Sequence, residues 1–118
     1  MGKHIIYTRT ASDNDDELRN QIATLAFYAH SMGIDSEDIF LVTVKGNAKQ
    51  FFKYIEEAYN KAEIEAIHIV DISRLSRSNN ILTEILHWMY CNGIDLYVNG
   101  KLQTQPKLSA FLGVSNGN

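Results

Sequence analysis

Residues 66–78 read AIHIVDISRLSRS, and the rest of the sequence is best understood outward from this stretch. Its first five residues are mostly β-branched, which is typical of a buried strand. The polar run that follows carries two arginines three positions apart and is typical of a loop. Strand-like runs also occur at residues 4–8, 38–44 and 94–98. The sequence therefore predicts four strands.

Apolar residues recur at helical spacing between these strands. The first of three such stripes ends before Gly33 and the third before Gly93, where a glycine commonly follows a helix. The second stripe covers residues 51–62. Strands that alternate with helices imply right-handed crossovers and a sheet covered on both faces. We therefore expect an α/β fold, a three-layer sandwich with a mainly parallel sheet of four to five strands.

Length and composition restrict the classes of protein that fit. With 118 residues, 45% of them hydrophobic, the sequence predicts a single domain over residues 1–118. No apolar stretch approaches the ~18 residues that cross a bilayer, so we expect a cytoplasmic protein with no membrane partner. The four histidines are scattered and there is one cysteine, so no metal or cofactor is predicted. A net charge of −3 argues against a free-standing basic DNA-binding module.

Three of the four arginines follow predicted strands at one edge of the sheet. Arg9 follows the first strand, and Arg74 and Arg77 follow the third, so parallel strands would bring their loops together. A helical turn over residues 74–77 would point both of its arginines the same way. Guanidinium groups hold phosphate oxygens with planar, permanently charged donors, and a nearby hydroxyl can attack phosphorus. The sequence thus predicts a phosphate site.

Several of these residues together resemble a known family. Tyr7-x-Arg9 at the end of the first strand, Gln21 on the first helix and the run DISRLSRS at residues 71–78 resemble the catalytic domain of the serine recombinases, the resolvase and invertase family. The resemblance spans roughly residues 4 to 100. It implies a site-specific recombinase that cuts and rejoins DNA through a 5′-phosphoserine intermediate without metal or cofactor.

The resemblance also implies roles for individual residues. Arg9, Arg74 and Arg77 would stabilise the charge that develops on the phosphate oxygens in the transition state. Further residues around them are candidates for substrate binding: Tyr7, Thr10, Gln21, Lys45, Asp71, Ser73 and Ser76. Asp71 has an alternative interpretation, in which it only orients its loop.

Two positions for the nucleophile remain open. Counted forward from Arg9, the family's serine position holds Ala11, which would make the site inactive. Counted back from Gln21, the nucleophile is Ser12, displaced by a one-residue insertion. Ser12 also fits a structural role, either as the N-cap of the first helix, whose first turn is acidic, or as a loop residue before it.

The acidic residues and the length of the chain favour a second function. Asp13, Asp15, Asp16 and Glu17 would repel a phosphate placed beside Ser12. The chain stops before the long dimer helix and the DNA-binding domain of complete recombinases, so we expect an excised domain or a shortened relative. DNA would then bind weakly or through a missing domain, and the protein would form a homodimer or tetramer. The alternative function is a catalytically degenerate domain that serves as an anion-binding, DNA-binding or oligomerisation module.

Overall fold

The computed structural model describes residues 2–10, 14–45, 51–56 and 59–103. The strands in this part of the chain are β1 (Lys3–Thr10), β2 (Ile39–Lys45), β3 (Ile64–Ile69), β4 (Asp95–Val98) and β5 (Lys101–Leu102). The α-helices are α1 (Asp15–Ser31), α2 (Phe51–Glu56) and α3 (Asn79–Cys91). Short 3-10 turns precede β2 and β3, and another, Ile72–Arg74, follows β3.

The strands form one sheet in the order β2-β1-β3-β4-β5. The pairs β1/β2, β1/β3 and β3/β4 are parallel, and β5 pairs antiparallel with β4. The predicted α/β fold with a mainly parallel sheet is therefore confirmed. After β1 the chain adds β2 on one side and then β3 on the other. The carboxyl ends of β1 and β3 consequently flank the point where the winding reverses, which is where open α/β sheets usually bind their ligands.

The helices cover both faces of the sheet. Ile5 and Tyr7 of β1 belong to a buried cluster with Phe51 of α2 and with Ile85 of α3. Because successive strand residues point to opposite faces, Ile6 of β1 faces the other side. That side is covered by the buried residues of α1, which are Leu18, Gln21, Leu25 and Ala29. The three-layer arrangement follows from this alternation.

The described part of α2 is shorter than the apolar stripe predicts. The helix is described to Glu56, and residues 61–63 form a 3-10 turn rather than continuing the α-helix as expected. Asn60 supplies the reason. Its side-chain oxygen accepts the backbone N–H of Ala62 at 2.9 Å, and its carbonyl accepts that of Glu63 at 2.8 Å. An asparagine that bonds the backbone two residues on competes with helix formation.

The hairpin between β4 and β5 was not predicted from the sequence. Asn99 and Gly100 both have positive φ angles, 48° and 78°, as a two-residue hairpin turn requires. A Cβ atom on Gly100 would lie 2.5 Å from Cδ1 of Tyr28, so the ring of this α1 residue packs directly on the turn. The Asn-Gly pair was the sequence signal for this hairpin.

None of the helices in the described ranges has both the length and the apolar character needed to cross a membrane.

A buried histidine pair lies on the α1 side of the sheet. His68 of β3 is fully buried, and its Nε2 lies 3.0 Å from Nδ1 of His4. The His68 ring also stacks on Tyr97 of β4, with ring centroids 4.8 Å apart. Burial, and secondarily the nearby His4, lowers the pKa of His68 to about 4. The folded protein therefore holds this ring neutral.

We expect the stability of the domain to fall as the pH decreases from about 6.5 through about 4. The unfolded chain, in which His68 has its ordinary pKa of 6.5, binds more protons over this window than the folded chain. The contribution is complete above pH 6.5 and amounts to up to about 3 kcal/mol. Denaturant unfolding across this pH range measures it. His68→Gln should flatten the pH dependence and His30→Gln, at an exposed position, should not; equal slopes in the two variants would refute the assignment.

Candidate functional site

Arg9 and Arg74 join the ends of β1 and β3 through hydrogen bonds from each side chain to the backbone of the other segment. We call this set of bonds the lock. The Arg9 side chain donates from Nη2 to the carbonyl of Ser73 at 2.8 Å and from Nε to the carbonyl of Arg74 at 3.2 Å. In return, Nη1 of Arg74 donates to the carbonyl of Arg9 at 3.0 Å. The structure thus brings together the two segments that the sequence placed at one edge, and it does so through side-chain bonds to backbone.

Gln21 fixes the backbone of Arg9 from the α1 side. Its amide oxygen accepts the N–H of Arg9 at 3.4 Å, and its Nε2 donates to the Arg9 carbonyl at 3.2 Å. Gln21 is buried, as is Arg9, whose exposed fraction is 8%. Predicted as a substrate-binding residue, Gln21 lies in the structure as a support for Arg9.

Asp71 orders the loop after β3. Its Oδ1 accepts the backbone N–H of Ser73 at 2.9 Å and also accepts the hydroxyl of Ser73, and it caps the 3-10 turn Ile72–Arg74. The predicted loop-orienting role of Asp71 agrees with these bonds. Ser73 is therefore engaged through its side chain with Asp71 and through its carbonyl with Arg9.

Carboxylates surround the guanidinium of Arg74. Its Nε lies 3.4 Å from Oδ2 of Asp71, and its Nη1 lies 3.6 Å from Oε1 of Glu17. The Nε atom is nevertheless buried without a hydrogen-bond partner, because proximity to Asp71 does not give the alignment that a hydrogen bond needs. Arg74 therefore keeps one unsatisfied donor, while 21% of its side chain is exposed.

Arg77 lies apart from the turn that holds Arg74. The expected helical turn over residues 74–77 is absent, because the 3-10 turn ends at Arg74 and the buried Leu75 follows it. Arg77 is exposed and makes no hydrogen bond or ion pair within the described part of the chain. Its guanidinium is available to a ligand that approaches this loop from solvent.

The serines after Arg74 form hydrogen bonds that order the turn before α3 and cap the helix. Ser76 is buried, and its hydroxyl oxygen accepts the N–H of Ser78 at 3.0 Å. Ser78 is the N-cap of α3, and its side chain accepts the N–H of Ile81 at 3.5 Å. The hydroxyl of Ser76, a predicted substrate contact, is thus committed to this turn.

Three further residues that were predicted to contact the substrate, Tyr7, Thr10 and Lys45, differ in how deeply they are buried. Tyr7 is fully buried against Phe51, and burial raises the pKa of its hydroxyl to about 12, an effect that Arg9 partly offsets. Thr10 is also buried, with an exposed fraction of 2%. Lys45, at the end of β2, is half exposed and lies 3.1 Å from Asp15 of α1. Of these three, only Lys45 reaches the surface.

Ser12 and Ala11 lie outside the described residues, so the choice between them stays a prediction. Of the structural alternatives for Ser12, the N-cap of the first helix is wrong, and a loop residue before that helix stays a prediction. That helix begins at Asp15, and its N-cap is Asn14, whose side-chain oxygen accepts the N–H of Glu17 at 3.0 Å. An asparagine fills the capping position as well as a serine does.

The charges and donors at this edge suit an anion more than a metal ion. In the described ranges, no three histidine, cysteine, aspartate or glutamate side chains converge as metal ligands. Part of the Arg74 side chain, 21%, is exposed although its Nε is buried against Asp71, and Arg77 has an exposed guanidinium. These are groups that bind phosphate oxygens.

Comparison with known proteins decides the family. Residues 4–114 match the model of the family described as "Resolvase, N terminal domain". The chain belongs to this family. No curated protein sequence matches the chain significantly.

Solved structures confirm the fold of this resolvase domain. It resembles the N-terminal catalytic domain of TP901-1 integrase with a TM-score of 0.69 at 23% identity, covering 94% of this chain and 89% of that one. It also resembles a resolvase family site-specific recombinase from Streptococcus pneumoniae (TM-score 0.66, 19% identity, 96% and 84% covered). A third similar structure is the C-terminal catalytic domain of ISC1926 TnpA, an IS607-like serine recombinase (0.59, 22%, 93% and 77%). The fold is that of serine recombinase catalytic domains.

Glu17 is a residue of this candidate site whose contact with Arg74 was not predicted from the sequence. The acidic first turn of α1 was predicted only to repel phosphate near Ser12. In the structure the carboxylate of Glu17 lies beside Arg74, on the loop that follows β3. The available signal was the position of Glu17 one helical turn before Gln21, on the same face of α1.

Proposed function

We propose that this domain is the catalytic domain of a site-specific DNA recombinase with Ser12 as its nucleophile. The hydroxyl oxygen of Ser12 attacks a backbone phosphorus, and the bond from phosphorus to the 3′ oxygen breaks. The serine proton leaves to solvent or base, and the departing 3′ oxygen takes up a proton to become a hydroxyl. The 5′ phosphate stays on the serine until the reverse attack by a 3′ hydroxyl rejoins a strand.

The lock between Arg9 and Arg74 is the observation that carries the proposal. It fixes two arginines at the carboxyl ends of β1 and β3 and leaves 21% of the Arg74 side chain exposed at this edge. Donors held in place before the reaction stabilise charge that moves onto phosphate oxygens in the transition state. Arg77, exposed on the same loop, adds a guanidinium that a DNA backbone can reach.

The capping of α1 supports Ser12 as the reacting residue. Since Asn14 caps the helix, the hydroxyl of Ser12 is not required for that purpose. Ser12 is also nine positions before Gln21, the spacing from which it was predicted as the nucleophile, and Gln21 donates a hydrogen bond to the backbone carbonyl of Arg9.

DNA is the partner in this proposal, bound through its phosphate backbone. We further propose that the domain acts in the cytoplasm as a homodimer or tetramer, since strand exchange requires more than one broken strand and therefore more than one active serine. The family match and the serine recombinase fold support DNA as the partner and an assembly of more than one domain.

A second function, a catalytically degenerate anion-binding or oligomerisation module, is favoured by the ion pairs of the site. Arg74 lies beside Glu17 and Asp71, and Lys45 lies beside Asp15. Carboxylates in these positions offset the positive charge that would stabilise the transition state of strand cleavage, whereas the exposed Arg77 can still bind an anion.

Trapping of a covalent intermediate distinguishes the two functions. The chain is incubated with supercoiled DNA that carries randomised inserts, quenched in denaturant, digested with nuclease and analysed by mass spectrometry. A nucleotide on Ser12 is the expected result. DNA binding without any adduct would overturn catalysis in favour of the second function. The absence of both would contradict catalysis and anion binding, and a monomer in analytical ultracentrifugation would then contradict oligomerisation as well.

A further inference from the structure

One carboxylate oxygen lies directly at the lock between Arg9 and Arg74. Oε1 of Glu17 is 3.6 Å from Nη1 of Arg74 and 3.4 Å from Nε2 of Gln21. Both nitrogens also donate to the carbonyl of Arg9. Glu17 thus shares its two neighbours with the backbone of Arg9 and places a negative charge against the guanidinium of Arg74.

The other acidic residues in the first turn of α1 have different neighbours. Asp15 lies beside Lys45, and Asp16 pairs with Arg19 three residues along the same helix. Asp71 lies outside this turn: its Oδ1 caps the turn Ile72–Arg74, while its Oδ2 lies 3.4 Å from the buried Nε of Arg74 rather than beside Nη1. Glu17 is therefore the residue of this acidic turn that reaches the proposed phosphate site.

We propose that Glu17 determines which phosphates the site accepts, by favouring a phosphodiester with one charge over a phosphate monoester with two. This inference rests on the proposed anion site at Arg74. Repulsion between a fixed carboxylate and a bound anion grows with the charge of the anion. A phosphodiester in a DNA backbone carries one negative charge, whereas a terminal phosphate carries nearly two above pH 7. Glu17 penalises the terminal phosphate more strongly and so directs the site to internal positions of a strand.

The arrangement also sets the overall affinity of the site. A phosphate oxygen that approaches Arg74 competes with the Glu17 carboxylate for the same guanidinium. Because this ion pair is partly exposed to solvent, with 21% and 38% of the two side chains accessible, the competition is moderate. It is equivalent to a change of about two- to fivefold in the dissociation constant.

The test compares two ligands and a charge-matched pair of variants. A dinucleotide with a single phosphodiester and a nucleoside 5′-monophosphate are titrated at pH 8 into the wild-type chain, Glu17→Gln and Glu63→Gln. Glu63 pairs with Lys3 at the opposite end of the sheet, so both variants lose the same charge. Glu17→Gln should tighten dinucleotide binding about two- to fivefold and monophosphate binding by a larger factor. Glu63→Gln should leave the ratio of the two constants unchanged.

Two more variants separate failure of this inference from failure of the proposed site. Glu17→Asp keeps the charge and should keep the wild-type preference, and its thermal unfolding shows whether the helix start is intact. Arg74→Gln should weaken both ligands; if it does not, the anion site itself is wrong. If Arg74→Gln weakens binding but Glu17→Gln behaves like Glu63→Gln, the role of Glu17 alone is refuted.

Discussion

Replacing Ser12 by alanine is expected to abolish the covalent DNA adduct while leaving the fold and the DNA affinity of the domain unchanged. Alanine lacks the oxygen that bonds to phosphorus, and the hydroxyl-bearing residues of the preceding strand β1 are all buried, Tyr7 fully. Thr8 is fully buried, and Thr10 is exposed by only 2%. The helix that follows is capped by Asn14, so the substitution removes no capping bond. Denaturing gel electrophoresis of the quenched reaction measures the adduct.

Ser36→Ala is the matched control for this experiment. Ser36 is an exposed serine in the 3-10 turn before β2, and its alanine variant should form as much adduct as the wild type. An adduct that persists in Ser12→Ala would assign the chemistry to another residue and contradict the alignment that counts back from Gln21.

Replacing Arg74 by lysine is expected to slow adduct formation by about 100-fold or more, the usual effect of losing one fixed donor to a developing anion. Lysine keeps the positive charge but has no planar fork. Its donors all lie on one nitrogen, so it cannot hold the carbonyl of Arg9 from one nitrogen, as Nη1 does at 3.0 Å, and present a second nitrogen to phosphate in a fixed plane. The rate should therefore fall more than the affinity for DNA, as single-turnover kinetics at saturating DNA will show.

Arg19→Lys provides the comparison for Arg74→Lys. Arg19 is exposed on α1 and pairs with Asp16, so this change should leave the rate within about twofold of wild type. A rate for Arg74→Lys that matches Arg19→Lys would mean that charge alone, and not the geometry of the guanidinium, is required. Thermal unfolding of both variants excludes loss of the fold as the cause.

The sheet could be predicted from the sequence because each strand has a local signal. Residues 66–70 form a run of β-branched side chains, and the glycines at 33 and 93 have the positive φ angles that follow a helix end. Two elements were not predicted correctly, the end of α2 and the hairpin of β4 and β5, because local backbone signals override the apolar spacing there. Asn60 turns the backbone before β3, and the Asn99-Gly100 pair reverses the chain after β4.

The meeting of Arg9 with the loop of Arg74 could also be predicted, because strand direction alone places both at one edge. The particular atoms that form the hydrogen bonds could not be predicted from the sequence. Arg9 binds the carbonyls of Ser73 and Arg74, and such bonds depend on how two loops settle once the sheet has formed. The pairing of Glu17 with Arg74 joins residues that are 57 positions apart; helical spacing places Glu17 on the face of Gln21 but does not reveal that its carboxylate meets Arg74.

The central claim is that the loops after β1 and β3 form one phosphate site. The most direct measurement is an NMR titration of the arginine Nε–H signals of the wild-type chain with a dinucleotide. The account predicts that the signal of Arg9, at the end of β1, and those of Arg74 and Arg77, after β3, shift together with one dissociation constant, while that of Arg19 stays in place. Signals of Arg9, Arg74 and Arg77 that do not move, or that move no more than Arg19, would contradict it.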